Sequence, residues 1–166
     1  GLLQQKKYKE AENYAGKLTQ TLLDGSEVVD VNNSIINVVL NQKYRLAKRK
    51  GIAMSFQIND LSGAWMEEQD MVILLANLLD NAIEACENRK DHPVIRLKLL
   101  RERSQILLSV QNPVEDTRSE VYHQMHTSKM DKANHGIGLK NVQMVLEKYD
   151  GMSYMHSEDG WFYFTA

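Results

Sequence analysis

The sequence has few of the features that mark disulfide-rich, disordered or membrane-spanning proteins. Cys86 is its only cysteine, so no disulfide can form within the chain, and we expect a reducing setting where this side chain packs on a helix. Only two of the 166 residues are proline and 43% are hydrophobic, which is typical of a folded chain. No apolar run approaches the roughly 18 to 20 residues that span a bilayer, and the N-terminus has no signal-peptide pattern. We therefore expect one soluble α/β domain with a small appendage.

The charges are also nearly balanced. With 20 Lys and Arg against 22 Asp and Glu, the net charge of -2 gives no electrostatic reason to expect nucleic acid as a partner. The chain starts at Gly1 without an initiator methionine, so we expect a piece of a longer protein, with any membrane region upstream and no direct membrane contact in this piece.

Hydrophobic periodicity predicts an α+β fold. A first amphipathic helix is expected at residues 6–23, followed by a helix at 33–50 that begins at Asn32 or Asn33 and ends before Gly51. The remaining expected elements are a strand at 52–58, a long helix at 67–87, a hairpin at 94–101 and 105–111, an irregular lid-like segment at 112–134, a helix at 137–149 and a hairpin at 152–156 and 161–165. The sum is a two-layer sandwich with helices on one face of an antiparallel or mixed sheet.

Two short motifs indicate a ligand site. In Asn77-Leu-Leu-Asp-Asn81-Ala, the two Asn residues are four apart in a helical stretch, so one helix face presents both amides, which suits a metal-bound phosphate. In His135-Gly-Ile-Gly-Leu139, two glycines open a second helix, where backbone N–H groups and the helix dipole attract an anion. Together the motifs suggest a nucleotide site.

These motifs resemble the N-box and the second glycine box of the GHKL ATPases, which include DNA gyrase, heat-shock chaperone ATPases, sensor histidine kinases and MutL. The variant Asn81-Ala-Ile-Glu-Ala-Cys, together with His135-Gly-Ile-Gly-Leu-Lys-Asn-Val, is similar to kinases that act as quorum-sensing peptide-pheromone receptors. The resemblance covers residues 31–166 and implies the Bergerat (GHKL) ATP-binding fold. The order and spacing of several motifs make it specific, whereas either motif alone is weak.

The resemblance implies ATP and Mg²⁺ as ligands. Asn81 would coordinate the metal through its side-chain oxygen, and Asn77 would orient the metal shell. The other residues expected to contact ATP are those of the glycine box and nearby basic positions: His135, Gly136, Gly138, Leu139, Lys129, Lys132 and Lys140. Leu139 would anchor the helix, and His135 would either cap it or contact phosphate.

One expected motif is altered. Where the superfamily has an Asp that accepts a hydrogen bond from the adenine amino group, followed by a flexible glycine, this chain has Asn112-Pro113. Asn112 keeps a carbonyl acceptor without the charge, and Pro113 stiffens the chain. Because Asn112 lacks that charge, adenine affinity is expected to be modest. Glu84 is a second departure, since many sensor kinases have a basic residue at this point.

The resemblance further implies the catalytic domain of a sensor histidine kinase at residues 31–166, preceded at 1–30 by part of a dimerisation helix. The phospho-accepting helix would be missing, because none of the five histidines lies in a helix that could present an acceptor. The fragment would then bind ATP without autophosphorylating, and no general base is evident. The full protein would be a homodimer that passes phosphate to a response regulator, and this piece would be its cytoplasmic portion.

Other interpretations remain open. The Asn pair could be a buried polar network, although two unsatisfied buried amides cost about 1 to 3 kcal/mol each. The glycines could simply open a helix, and Asn112 before proline is ordinary turn chemistry. An anti-sigma-type serine kinase shares the same nucleotide fold, and a scaffold that has lost ATP binding would fit the altered adenine motif.

Overall fold

The computed structural model describes residues 29–115, 121–125 and 137–166, which form a sheet covered by helices. The helices are α1 (Ser34–Arg49), α2 (Glu68–Cys86) and α3 (Ile137–Lys148). The strands are β1 (Ala53–Ile58), β2 (Val94–Glu102), β3 (Gln105–Pro113), β4 (Val121–Met125), β5 (Ser153–Glu158) and β6 (Trp161–Thr165). Their order in the sheet is β1-β2-β3-β6-β5-β4. Only β1 and β2 pair in parallel among the described strands, so the sheet is mixed, as expected.

The sequence predicted α1 and its ends closely. Asn33 is the N-cap, and its side-chain oxygen accepts a hydrogen bond from the backbone N–H of Ile36 at 3.0 Å. At the other end Gly51 has a φ of +73°, a left-handed conformation that favours glycine, and its N–H donates to the Lys48 carbonyl. Local chemistry alone therefore sets where this helix begins and ends.

The helices cover one face of the sheet. Side chains alternate along the strands, and Leu97, Leu108 and Phe164 are buried with the apolar faces of α1 and α2 in a single core. On the opposite face, Arg96 is exposed and its guanidinium lies 4.4 Å from the centre of the Trp161 ring. The predicted two-layer α+β arrangement is confirmed.

The predicted irregular segment at 112–134 is wrong in two places. Strand β3 continues through Asn112 to Pro113, which pairs with Trp161 of β6, and β4 lies inside the segment and pairs with β5. A proline is tolerated at a strand end because few ladder bonds remain to be lost there. The pairing partners come from distant parts of the chain, so local periodicity does not reveal them.

The predicted helix at 6–23 lies outside the described residues, as does most of the expected lid. Within the described ranges, no helix is both long and apolar enough to cross a membrane.

Candidate functional site

Helix α2 carries the predicted pair of Asn residues at the edge of its buried face. Asn77 is half-buried, and its Nδ2 donates to the carbonyl of Ile73 at 2.7 Å, one turn earlier. Asn81, one turn later, is exposed. The alternative interpretation of the pair as a buried polar network is therefore wrong, since Asn81 is exposed. What the helix does is fix the direction of the Asn77 side chain and leave the oxygen of Asn81 accessible.

The first turn of α3 approaches this pair. A Cβ atom placed on Gly138 would lie 3.0 Å from Oδ1 of Asn77 and 3.6 Å from Oδ1 of Asn81. The first distance is shorter than ordinary contacts of a Cβ atom, so a side chain at this position would press on Asn77. The structure thus brings together three of the predicted site residues from two separate motifs, and glycine is needed because of the close approach.

The other predicted residues have different environments. Leu139 is half-buried against the core, where it anchors α3, and Lys140 is exposed. The remaining residues predicted to contact ATP through the glycine box and the lid lie outside the described residues; they are Lys129, Lys132, His135 and Gly136. Gly138 and its two neighbours are therefore the described part of the glycine box.

Asn112 lies near the end of β3, only 3% exposed. It is two residues from the buried Val110 and so points to the helix-covered face of the sheet. Its Nδ2 lies 3.2 Å from the carbonyl oxygen of Pro113. Its position as an adenine contact therefore stays a prediction, and its amide donor is partly used within the chain.

A buried lysine lies next to the Asn pair. The Lys43 side chain on α1 is 7% exposed, and its Nζ is 2.6 Å from Oδ1 of Asp80, the residue before Asn81. The ion pair joins α1 to α2 and offsets the negative charge of Asp80 beside the site. This ion pair was not predicted from the sequence, because the partners are far apart in the chain.

The far end of α3 is tied to the beginning of α2 by polar contacts that the sequence did not reveal. Asp70 accepts hydrogen bonds from Nζ of Lys148 at 2.6 Å and from the Tyr149 hydroxyl at 2.7 Å, both through Oδ2. Hydrogen bonds and charge from Asp70, then Glu67, raise the pKa of Lys148 above its usual value. Burial, followed by the bond to Asp70, raises the pKa of Tyr149.

A second pair of Asn residues with the same i, i+4 spacing has a purely structural role. Asn41 makes two hydrogen bonds with the backbone of Val29. Its Oδ1 accepts from the Val29 N–H at 3.2 Å, and its Nδ2 donates to the Val29 carbonyl at 2.9 Å. Asn37 accepts from the N–H of Val31 at 2.8 Å. Both side chains are buried. The spacing by itself therefore does not distinguish a ligand site from a backbone clamp.

A groove of about 670 Å³ lies at the end of β3, lined partly by Pro113 and Trp161. Its charged lining residues are Arg89, Lys90, Arg96, Asp91, Glu115 and Asp159. Since three are basic and three acidic, the groove has no charge preference for a phosphate. In the part of the chain that the structure describes, no group of three or more His, Cys, Asp or Glu side chains could hold a metal ion.

Comparisons with known proteins identify the family and the fold. A family model described as the GHKL domain matches residues 66–165. A probable C4-dicarboxylate sensor kinase of Halalkalibacterium halodurans is 25% identical over 169 residues, which cover 95% of this chain and 31% of that protein. The chain thus spans about a third of the length of this curated relative.

Solved structures of histidine kinases share the fold. The catalytic domain of histidine kinase ThkA, nucleotide-free, superposes with a TM-score of 0.58 at 18% identity, covering 78% of this chain and 90% of that one. ThkA in complex with the response regulator protein TrrA matches with a TM-score of 0.57 at 15% identity, covering 95% of this chain and 47% of that one.

Proposed function

We propose, because this chain belongs to the GHKL domain family, that it is the ATP-binding catalytic part of a two-component sensor histidine kinase. The observation that carries the proposal is the meeting of Gly138 with Asn77 and Asn81. Two motifs far apart in the sequence converge at one point, and each supplies a different part of a Mg·ATP site. The sensor kinase among its relatives and the kinase structures that share its fold support the same proposal.

The residues present fit a metal-bound triphosphate. Asn81 offers an exposed side-chain oxygen, the kind of hard ligand that Mg²⁺ takes together with phosphate oxygens and water. Asn77 is held by its bond to Ile73 and orients the metal shell. Bound Mg²⁺ would offset the phosphate charge. Because Gly138 has no side chain, the positive end of α3 comes close to the Asn pair, where its backbone N–H groups would receive phosphate oxygens, and Lys140 adds charge nearby.

The base would lie against the end of β3. Asn112 faces the helical layer there, and its side-chain carbonyl can accept a hydrogen bond from an adenine amino group. A neutral amide is a weaker acceptor than the usual carboxylate, so we expect adenine affinity to be modest. His135, Gly136, Lys129 and Lys132 complete the proposed site as phosphate contacts.

The reaction would be transfer of the γ-phosphate to a histidine on a dimerisation helix. The chain's contribution is positioning and charge stabilisation. Residues 1–30 would be part of that dimerisation region, and 31–166 the catalytic domain. Since we propose none of its five histidines as the acceptor, this chain by itself would bind ATP without phosphorylating itself.

The partners follow from this chemistry. The full protein would act as a homodimer, with this portion in the cytoplasm where ATP is available, and would pass phosphate to a response regulator. A structure of ThkA with a response regulator supports the last step. The similarity of the Asn81 motif to pheromone receptor kinases suggests a quorum-sensing peptide as the signal.

Calorimetric titration with Mg²⁺ and a non-hydrolysable ATP analogue tests the proposal. Asn81→Ala should abolish binding, and because Asn81 is exposed the free energy of unfolding should change by less than about 0.5 kcal/mol. Asn59→Ala is the control, since the Asn59 side chain bonds only to the backbone of Arg101 in the described contacts and lies outside both site helices. Equal binding by wild type and Asn81→Ala would place the nucleotide elsewhere.

A scaffold that does not bind nucleotide is the second candidate. It is favoured by the burial of Asn112 and by the contact of its amide with the Pro113 carbonyl. The same titration distinguishes it, because a scaffold would show no binding at millimolar analogue.

A further inference from the structure

The start of α2 and the end of α3 are joined by a polar cluster that we name the latch, made of Asp70, Lys148 and Tyr149. Asp70 is 8% exposed and receives two short hydrogen bonds, from Lys148 and from Tyr149. The Tyr149 hydroxyl also accepts a hydrogen bond from the backbone N–H of Glu67, the N-cap residue of α2, at 3.0 Å. A charged lysine therefore lies at the negative end of α3 and a carboxylate at the positive end of α2, where each helix dipole favours it.

The latch and the proposed nucleotide site lie at opposite ends of α3. Helix α3 contacts Asn77 and Asn81 through Gly138, and it contacts the beginning of α2 through the latch. The helices thus run antiparallel. From Gly138 to Lys148, ten residues of helix correspond to about 15 Å. Two contacts this far apart fix how far α3 slides and tilts along α2.

Between these two ends the contact is apolar. Val142, Val145 and Leu146 are the buried residues of α3. Apolar contacts resist separation of the helices, but they are not directional and so define axial position poorly. The hydrogen bonds of the latch have defined distances and angles, and they supply the missing constraint.

We propose that Asp70, Lys148 and Tyr149 are positioning residues that set the place of α3 along α2, and thereby the contact of Gly138 with Asn77 at the proposed phosphate site. This rests on the proposed function, since it concerns the same nucleotide site. None of the three side chains needs to touch ATP. Loss of the latch lets the first turn of α3 shift, so the nucleotide is held less tightly while the fold is retained.

Trp65 provides a direct report of the latch without nucleotide. Its ring packs edge-on against Tyr149, with 5.2 Å between ring centres, and the residue is 47% exposed. The chain has one other tryptophan, Trp161, so Trp161→Phe leaves fluorescence that comes from Trp65 alone. Movement of Tyr149 would then change the emission of Trp65.

The test compares Asp70→Asn, Lys148→Met and Lys148→Arg in the Trp161→Phe background of the whole chain, with Asn59→Ala as the matched control for lost hydrogen bonds elsewhere. We expect Asp70→Asn and Lys148→Met to shift Trp65 emission and to weaken binding of the Mg·ATP analogue by between about twofold and thirtyfold. Lys148→Arg keeps the ion pair and should restore affinity. Asn59→Ala should alter neither quantity.

The outcomes separate this proposal from the one it rests on. If the parent chain binds the analogue and Asp70→Asn shifts Trp65 emission without weakening binding, the latch has no positioning role and the proposed function stands. A loss of affinity that Asn59→Ala reproduces also overturns the latch, since general destabilisation then explains it. If the parent chain binds no nucleotide, both proposals fail.

Discussion

Gly138→Ala is the most informative single substitution, because its effects on stability and on binding should differ. Gly138 is the second residue of α3, where alanine has a higher helix propensity by at most about 1 kcal/mol. Against this, the new Cβ would lie 3.0 Å from Oδ1 of Asn77 and 3.7 Å from its Cβ. The Asn77 amide is bonded to the carbonyl of Ile73 and cannot move away freely.

The magnitude follows from the two opposing effects. Overpacking of this kind costs about 1 to 3 kcal/mol, so we expect Gly138→Ala to lower the free energy of unfolding by between 0 and about 2 kcal/mol. In an Asn77→Ala background the obstructing oxygen is absent, and the same substitution should become neutral or stabilising. The coupling between the two substitutions should be about 1 kcal/mol or more.

Urea unfolding of the four proteins measures this cycle, and calorimetry with the Mg·ATP analogue measures binding. Gly138→Ala should weaken binding at least about tenfold, since the displaced Asn77 and the new methyl both alter the phosphate site. If Gly138→Ala stabilises the chain equally with and without Asn77 and leaves binding unchanged, then the two motifs do not meet as described and the site is wrong.

Three further predictions concern regions around the site. Asn41→Ala should lower the free energy of unfolding by about 1 to 3 kcal/mol, because buried backbone groups of Val29 lose their partner, and calorimetry should show unchanged nucleotide affinity. Since the folded pKa values of Lys148 and Tyr149 are raised, their contribution to stability is present below about pH 10 and is lost at higher pH. The urea midpoint should therefore fall more between pH 8 and pH 11 for the wild type than for the double variant Lys148→Met/Tyr149→Phe. Equal falls would contradict this. Burial raises the pKa of the Cys86 thiol, so a disulfide reagent at pH 8 should modify it only as fast as the chain unfolds, and rapid modification would show that the end of α2 is open.

Much of the fold was predictable because its signals are local. The apolar periodicity of α2, the capping by Asn33 and the left-handed glycine after α1 each depend on a few neighbouring residues. The strand β4 was missed for the opposite reason. It is a strand because it pairs with β5, and its own sequence has no alternating pattern that predicts a strand.

The candidate site was predicted in part. Both motifs were found from spacing and residue type, but the same spacing at Asn37 and Asn41 belongs to a backbone clamp. The motif at Asn77 and Asn81 was singled out by its resemblance to a family, which spacing alone does not provide. The alternative of a buried polar network fails for Asn81, since this apolar helix still has an exposed face.

The sequence by itself determined the order of most helices and strands, the apolar faces that form the core, and the two motifs of the candidate site. Only the tertiary structure decided which parts of the chain meet. The approach of Gly138 to Asn77, the Lys43–Asp80 ion pair and the contacts of Asp70 all join distant segments. Such contacts depend on how the helices pack in three dimensions. Whether a hydrogen bond forms or a Cβ fits is decided by tenths of an ångström, and periodicity and residue type do not encode distances that finely.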